Sequence, residues 1–210
     1  MVGCNRDENG DEMFNRAYGG EDVEFCRSII QTTNGGYALV GYTESFGAGE
    51  EDIWLVVTDE DGEPLWERTY GGESEDWCYG VIQLDNGGFL LAGSTESFTE
   101  GTRDFWLVFT DEDGVQESTR TYGGLSTRDS FRSIIQTSDG GYALIGGAWE
   151  INDRTYNPYI VKTDSEGEPV WSQIYRSDLG AEPWSIKQMT DNGYVLAGST
   201  SRYGDGGGDY

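Results

Sequence analysis

Several residue types are absent from the sequence or rare in it. None of the 210 residues is histidine, and the only cysteines are Cys4, Cys26 and Cys78. Because histidine and Cys-x-x-Cys pairs are both absent, there is no zinc-binding motif, and a nucleophilic serine or cysteine would lack its usual imidazole base. Three scattered cysteines do not make a disulfide framework. No run of about 18 apolar residues occurs, so no membrane-spanning helix is predicted.

Positive charge is also scarce. The chain has 13 lysines and arginines against 39 aspartates and glutamates, a net charge of −26, and its lysines are Lys162 and Lys187 alone. Such a surface repels phosphate backbones, so we expect no nucleic-acid partner. The composition resembles that of halophilic archaeal proteins, in which high salt screens the self-repulsion. The alternative interpretation is a surface that attracts cations or basic partners.

Glycine and aromatic residues are abundant, and they recur in a fixed pattern. The motif "AYGG" begins at Ala17, and "TYGG" begins at Thr69 and again at Thr121, at a constant spacing of 52 residues. A degenerate copy, "IYRS", begins at Ile174. The phrase "TTNGGYALVGYT" at 32–43 likewise has relatives that begin at Gln83, Gln136 and Gln188. The chain therefore consists of four repeats.

Each repeat predicts four short strands. In the first complete repeat these are "FCRSIIQT" (25–32), "YALVGYT" (37–43), "DIWLVVTD" (52–59) and "EPLWERTY" (63–70), with glycine-containing turns at "NGG" and "EDG". The third strand is apolar almost throughout, which predicts burial on both faces. Four-stranded units packed face to face indicate an all-β fold, the β-propeller. A β-sandwich with repeated hairpins is the rival, but it predicts stricter alternation and no fixed period.

We expect a single domain over 1–210, with blade units 21–72, 73–124 and 125–177 and a closing blade in which 178–210 is completed by 1–20. The first residues align with a third strand and the last with a second strand, so this blade is split between the two termini. Cys4 then occupies the place of Val56. The alternatives are that "VGCN" at Val2–Asn5 is the end of a lipoprotein signal, and that the chain is part of a longer propeller or a half-ring that dimerises.

The repeats resemble those of secreted and surface β-propeller proteins of archaea and bacteria, with the pattern "SIIQTxDGGYxLxG…DxWLxKxDxxGxxxWxxxYGG". The matching segments are Ser133–Gly141, Asp52–Leu55 and Gly62–Gly72, and the resemblance covers essentially the whole chain. It implies a propeller fold and an extracellular or cell-surface location. It does not imply one activity, because propellers host many unrelated functions.

A more distant resemblance concerns "TDEDGEPLW" and "TDSEGEPVW", which are similar to the tryptophan-docking repeats of quinoprotein dehydrogenases. It implies that Trp66, Trp171 and Phe14 pack against the next blade, whereas Ser118 replaces the aromatic residue in the second complete unit. The sequence shows no ligands for a quinone, so we expect no cofactor.

Acidic turns suggest calcium as the alternative to that expectation. They are "DENG" at Asp7 and "DEDG" at Asp59 and Asp111, with a glycine-rich segment at Gly204–Asp209. None has the twelve-residue loop of an EF-hand. Because aspartate and glycine are favoured in turns, we interpret the acidic motifs as turns rather than metal loops.

The candidate ligand-binding residues lie at one repeat position on the first strand of each unit: Arg27, Tyr79, Arg132 and Trp184. Arginine and aromatic residues dominate recognition surfaces, and arginine suits carboxylates. We therefore predict that the four form a ring at the mouth of the propeller. The alternative is a set of structural salt bridges with the nearby Glu24, Asp76 and Asp129. Cys26 and Cys78 are interpreted as small core residues.

The sequence thus favours a non-catalytic binding or scaffold protein, monomeric or homodimeric, which recognises a glycan, a peptide or a protein partner. No catalytic residue is identified. A glycoside hydrolase or lyase that uses a carboxylate pair is one alternative. The other is a structural fragment of a longer propeller that assembles as a dimer.

Overall fold

The computed structural model describes residues 2–6, 12–99, 102–124, 127–150, 155–176 and 180–200, with side chains from residue 15 onward. Regular structure in these segments is β throughout. They contain no helix that is long and apolar enough to cross a membrane.

The described residues contain sixteen strands, which form five sheets. Three of the sheets are four-stranded meanders, in which each strand pairs with the next along the chain. The first comprises β3 (Glu24–Gln31), β4 (Tyr37–Thr43), β5 (Asp52–Thr58) and β6 (Pro64–Tyr70). The second comprises β7 (Asp76–Gln83), β8 (Phe89–Thr95), β9 (Asp104–Thr110) and β10 (Gln116–Tyr122). The third comprises β11 (Thr127–Gln136), β12 (Tyr142–Glu150), β13 (Thr155–Thr163) and β14 (Pro169–Ile174).

The two remaining sheets are hairpins at the ends of the chain: β1 (Val2–Arg6) with β2 (Glu12–Ala17), and β15 (Ala181–Gln188) with β16 (Tyr194–Thr200). Cys4 lies in β1, opposite Asn15. The chain divides into two compact units, Met1–Leu91 with Val108–Thr119 and Ala92–Leu107 with Arg120–Tyr210. The all-β class and the four-stranded antiparallel sheets are confirmed, and the joining of the terminal hairpins in one blade stays a prediction.

The second and third strands are the buried strands of the first two four-stranded sheets. All seven residues of β5 and six of the seven in β9 are buried. Trp54 and Trp106 occupy the same position in these two strands, and each is 1% exposed. Burial on both faces, which the continuous apolar runs predict, is therefore confirmed.

The recurrent double glycine has two separate structural reasons. Its first member has a positive φ, 93° at Gly35, 89° at Gly87 and 83° at Gly140, which glycine adopts without steric cost. Its second member has no room for a Cβ: at Gly36 an added Cβ would overlap the carbonyl oxygen of Thr58. In the last hairpin Asn192 takes the positive-φ position, with φ of 67°.

The "DEDG" motifs are turns. Asp59 Oδ1 accepts hydrogen bonds from the backbone N–H of Asp61 (3.0 Å) and of Glu63 (2.8 Å). Asp111 Oδ1 does the same for Asp113 and Val115. The turn interpretation is therefore confirmed at these two positions. The copy at Asp7 and the Gly204–Asp209 segment lie outside the described residues.

Aromatic side chains connect each repeat to the one that follows. The Trp66 ring lies 5.8 Å from that of Phe89, and the Trp171 ring lies 5.9 Å from that of Tyr194. The Tyr70 hydroxyl donates a hydrogen bond of 2.7 Å to the Gly114 carbonyl oxygen. Packing of Trp66 and Trp171 against the next repeat is thus observed, and the Phe14 side chain lies outside the described part of the chain.

Candidate binding site

Three of the four predicted site residues lie at a β-bulge. The register of β3 against β4 shifts between Cys26 and Ser28, so Arg27 is the extra residue. The same shift brackets Arg132 between β11 and β12, and Trp184 between β15 and β16. A bulge bends the strand and re-aims the side chain of its extra residue. In three of the repeats, the first strand therefore presents one side chain from the extra residue of a bulge.

A glycine on the second strand makes each of these bulges possible. An added Cβ on Gly41 would overlap the Phe25 carbonyl oxygen, and one on Gly146 would overlap the Ser130 carbonyl oxygen. Gly198 has the same relation to the Glu182 carbonyl. Because the bulged backbone occupies the space of a Cβ, only glycine fits opposite it.

Arg27 is at the centre of an aromatic cluster in the first of the two compact units. Its guanidinium carbon lies 5.2 Å from the Phe25 ring centroid, 5.6 Å from that of Tyr42 and 5.5 Å from that of Tyr79. These are cation–π distances. Arg27 is exposed, and Phe25 is 44% exposed. We call Phe25, Arg27, Tyr42 and Tyr79 the Arg27 cluster.

The two arginines at this repeat position have different charge environments. Arg132 pairs with Glu182 through two of its guanidinium nitrogens, and it stacks on the Trp184 ring at 4.8 Å. Arg27 has no acidic partner within the described part of the chain, although that chain has 39 acidic residues. Glu182 therefore neutralises the charge of Arg132, whereas no described carboxylate neutralises that of Arg27.

Within each compact unit two of the predicted site residues form a pair, Arg27 with Tyr79 in the first and Arg132 with Trp184 in the second, and the ring of four stays a prediction. Arg132 forms a structural salt bridge, as the alternative proposed, but with a partner that the sequence analysis did not name. Arg132 pairs with Glu182 rather than Asp129, since the bulge directs it toward the neighbouring β15. Glu24 accepts hydrogen bonds from Gly20 N and Thr43 Oγ1 instead of binding Arg27.

Cys26 and Cys78 are free thiols. Cys26 is half-buried, and burial raises its pKa. Cys78 is fully buried, and its Sγ lies 3.3 Å from the Gly80 carbonyl oxygen. The Cys26 thiol is therefore held largely in the unreactive protonated form.

Sequence reasoning missed a second kind of feature, pairs of aspartates that converge on a "YGG" glycine. In the second unit an added Cβ on Gly123 would overlap Asp104 Oδ1 and lie 2.8 Å from Asp129 Oδ2. Burial raises the pKa of Asp129 to about 7, and the Asp104 charge adds to this effect. Burial also raises the pKa of Asp104 to about 6. The sequence signal for these pairs is the aspartate that begins the third strand of the first two four-stranded sheets, Asp52 in β5 and Asp104 in β9.

Comparison with known proteins bears on the fold alone. No family model and no curated protein matches the sequence. The chain is similar to a protein of unknown function from Bacteroides caccae, whose crystal structure aligns with a TM-score of 0.52 at 14% sequence identity. The alignment covers 91% of this chain and 59% of that protein, so the chain spans less than two thirds of its length.

Proposed function

We propose that this chain is a non-catalytic binding module, built as a closed four-bladed β-propeller, in which the Arg27 cluster recognises an acidic glycan. The observation that carries the proposal is the exposed guanidinium of Arg27, which lies on a bulge against three aromatic rings and has no acidic partner among the described residues. The four repeats and the three four-stranded sheets support the propeller. Closure would join β15 and β16 to β1 and β2 in the fourth blade.

The chemistry of the Arg27 cluster fits a sugar that carries a carboxylate. Stacking fixes the plane of the guanidinium and leaves its edge to bind a carboxylate through parallel hydrogen bonds. The exposed Phe25 ring offers an apolar face to the C–H side of a sugar ring. Because both groups are held in place before binding, little entropy is lost when a ligand is bound.

The net charge of −26 opposes the approach of an anion. This repulsion acts over the Debye length, which falls from about 10 Å at 0.1 M salt to about 3 Å at 1 M. The short contacts at Arg27 are screened less than the long-range field. We therefore expect affinity for an acidic glycan to rise as salt is added, opposite to the usual behaviour of an ion-pair interface.

The Arg27→Ala variant tests this function. A hydrogen bond to a charged group contributes about 1.5–3 kcal/mol, so affinity for a uronic-acid oligosaccharide should fall about 10- to 150-fold by calorimetric titration. Arg132→Ala is the matched control, since Arg132 is the same residue type at the same bulge but is already paired with Glu182. It should bind as the wild type does.

Equal losses of affinity in the two variants would contradict a specific role for Arg27. Binding that weakens steadily with salt would contradict the expectation that long-range repulsion dominates the salt dependence. Binding of an acidic peptide but of no uronic-acid oligosaccharide would overturn the glycan assignment. The hydrolase alternative has less support. Its best carboxylate pair, Asp104 and Asp129, is poorly accessible to a glycosidic oxygen, because Asp129 is 1% exposed.

A further inference from the structure

We propose that Asp104 and Asp129 form a calcium-binding site in the second unit, independent of the Arg27 cluster. The buried carboxylate of Asp129 and the half-buried carboxylate of Asp104 converge on Gly123, and no described positive side chain lies between them. A cavity that Asp129 lines adjoins the site and gives a cation room to bind.

The carboxylates of Asp104 and Asp129 are removed from water without a described counter-charge. Asp129 is 1% exposed, and its Oδ1 has no hydrogen-bond partner in the described residues. Asp104 Oδ1, which points at Gly123, is likewise buried and without a partner there. A carboxylate removed from water is neutralised either by a proton or by a counter-charge. Each of the two carboxylates therefore keeps one buried oxygen without a described partner, which is available to a cation.

The neighbouring arginines do not supply that counter-charge. Arg103 and Arg128 flank the pair in sequence, and both form salt bridges with Glu96, each at 2.7 Å. Arg176 lines the adjoining cavity and pairs with Glu150 at 2.6 Å. Neither Asp104 nor Asp129 forms an ion pair with any described residue. Because no described side chain supplies the positive charge, a proton or a bound cation has to neutralise the pair.

The surroundings supply oxygen ligands, which calcium prefers. A cavity of about 390 Å³ is lined by Asp129, Thr127, Tyr159 and Ser172, together with the backbone of Gly123 and Gly124. The Thr127 hydroxyl lies 3.1 Å from Asp129 Oδ2. Calcium takes six to eight oxygens in flexible geometry and accepts water among them, whereas magnesium demands a near-ideal octahedron. No described group of three or more acidic, cysteine or histidine side chains could hold a metal, so neutral oxygens must complete the shell.

The same arrangement occurs at the preceding repeat junction, which indicates a feature of the repeat rather than an accident of one site. An added Cβ on Gly71 would overlap Asp52 Oδ1 and lie 2.8 Å from Asp76 Oδ2. At the next junction the positions hold Asn157 and Ala181, which leave no carboxylate. The two aspartates therefore occur together at two junctions, and both are replaced at the next one.

Calorimetric titration of the chelator-treated protein with calcium chloride, in molar potassium chloride to suppress non-specific screening, tests the site. With only two carboxylates we expect a dissociation constant of about 10⁻⁴ to 10⁻³ M. Asp104→Asn and Asp129→Asn keep the shape of the side chain and should weaken calcium binding at this site at least about 100-fold. Glu112→Gln, which removes an exposed charge, should leave binding unchanged.

Thermal unfolding gives a second readout that does not depend on the heat of binding. In chelator each asparagine variant should unfold at the wild-type temperature or above it, because one charge of the repelling pair is gone. In calcium the wild type alone should gain stability from this site. Absence of saturable binding by the wild type would overturn the proposal, as would equal binding by wild type and both variants. Stabilisation that is equal with magnesium and calcium would overturn the choice of calcium.

Discussion

Replacing Trp106 by alanine is expected to lower the free energy of unfolding by about 3–5 kcal/mol, as large-to-small changes of buried aromatic residues do. Trp106 is at the centre of β9, it is among the largest fully buried side chains, and its ring lies 5.1 Å from that of Phe98. Its neighbours in the strand are buried as well. Since packed sheets relax only partly around a void, most of the lost contact would not be recovered. Urea denaturation followed by circular dichroism measures the effect.

Two further variants serve as controls for Trp106→Ala. The indole nitrogen of Trp106 has no hydrogen-bond partner in the described part of the chain, so Trp106→Phe removes an unsatisfied donor and leaves a smaller void. Trp106→Phe should lower the free energy of unfolding by less than half as much as Trp106→Ala does. Trp171→Ala replaces an exposed residue on β14 and should also lower the free energy of unfolding by less than Trp106→Ala does. Equal losses for Trp106→Ala and Trp171→Ala would contradict the buried role of the third strand.

Replacing Gly41 by alanine is expected to disrupt both stability and ligand binding. The new Cβ would overlap the Phe25 carbonyl oxygen and approach the Cα of Cys26 to 3.1 Å. These are backbone atoms and cannot rotate away, so we expect a loss of about 3 kcal/mol, the upper end for overpacking. The clash lies at the bulge that presents Arg27, so binding of the uronic-acid oligosaccharide should weaken even where the variant remains folded.

Gly35→Ala is the matched control in the same hairpin. Its Cβ would meet no atom within 4 Å, and only the positive φ of 93° is unfavourable. A cost of about 1–2 kcal/mol with unchanged ligand affinity is expected, since the left-handed conformation is strained but the bulge is intact. If Gly41→Ala were as stable as Gly35→Ala and bound ligand normally, the bulge would not be what positions Arg27.

The strands and turns were predictable from the sequence because their signals are local. The apolar run of β5, the glycine of the "NGG" turn and the aspartate of "DEDG" each dictate backbone structure within a few residues. The bulge at Arg27 was not predictable, because its cause is the close approach of a glycine on the paired strand. That glycine, Gly41, is an ordinary strand residue when the sequence is read alone.

The contrast between the two arginines also could not be predicted from the sequence. Arg132 and Glu182 are separated by 50 residues and meet only through the packing of β11 near β15. Arg27 has no such partner among the described residues, and Glu24, three residues away, instead accepts hydrogen bonds from Gly20 and Thr43. Proximity in sequence therefore gave the wrong ion pairs. The Asp104 and Asp129 pair was missed for the same reason, since its members come from different repeats.

Closure of the fourth blade is the claim on which the propeller proposal depends. In the first four-stranded sheet Leu39 of β4 is opposite Val56 of β5. By repeat position Leu196 corresponds to Leu39, and Cys4 corresponds to Val56. If β16 pairs with β1 as β4 pairs with β5, position 196 lies opposite Cys4. Opposed residues of antiparallel strands have Cα atoms about 4.5–5.5 Å apart, within the range of a disulfide.

The most direct test is therefore to oxidise the Leu196→Cys variant, with Cys26→Ala and Cys78→Ala to remove the other thiols, and to map its disulfides by mass spectrometry. The Val195→Cys variant is the control, because adjacent residues of a strand point to opposite faces. If the ring closes within one chain, we expect a disulfide between positions 4 and 196 within one monomer, and none in the control. Free thiols in the folded variant, or disulfide-linked dimers in place of monomers, would contradict a ring that closes within one chain.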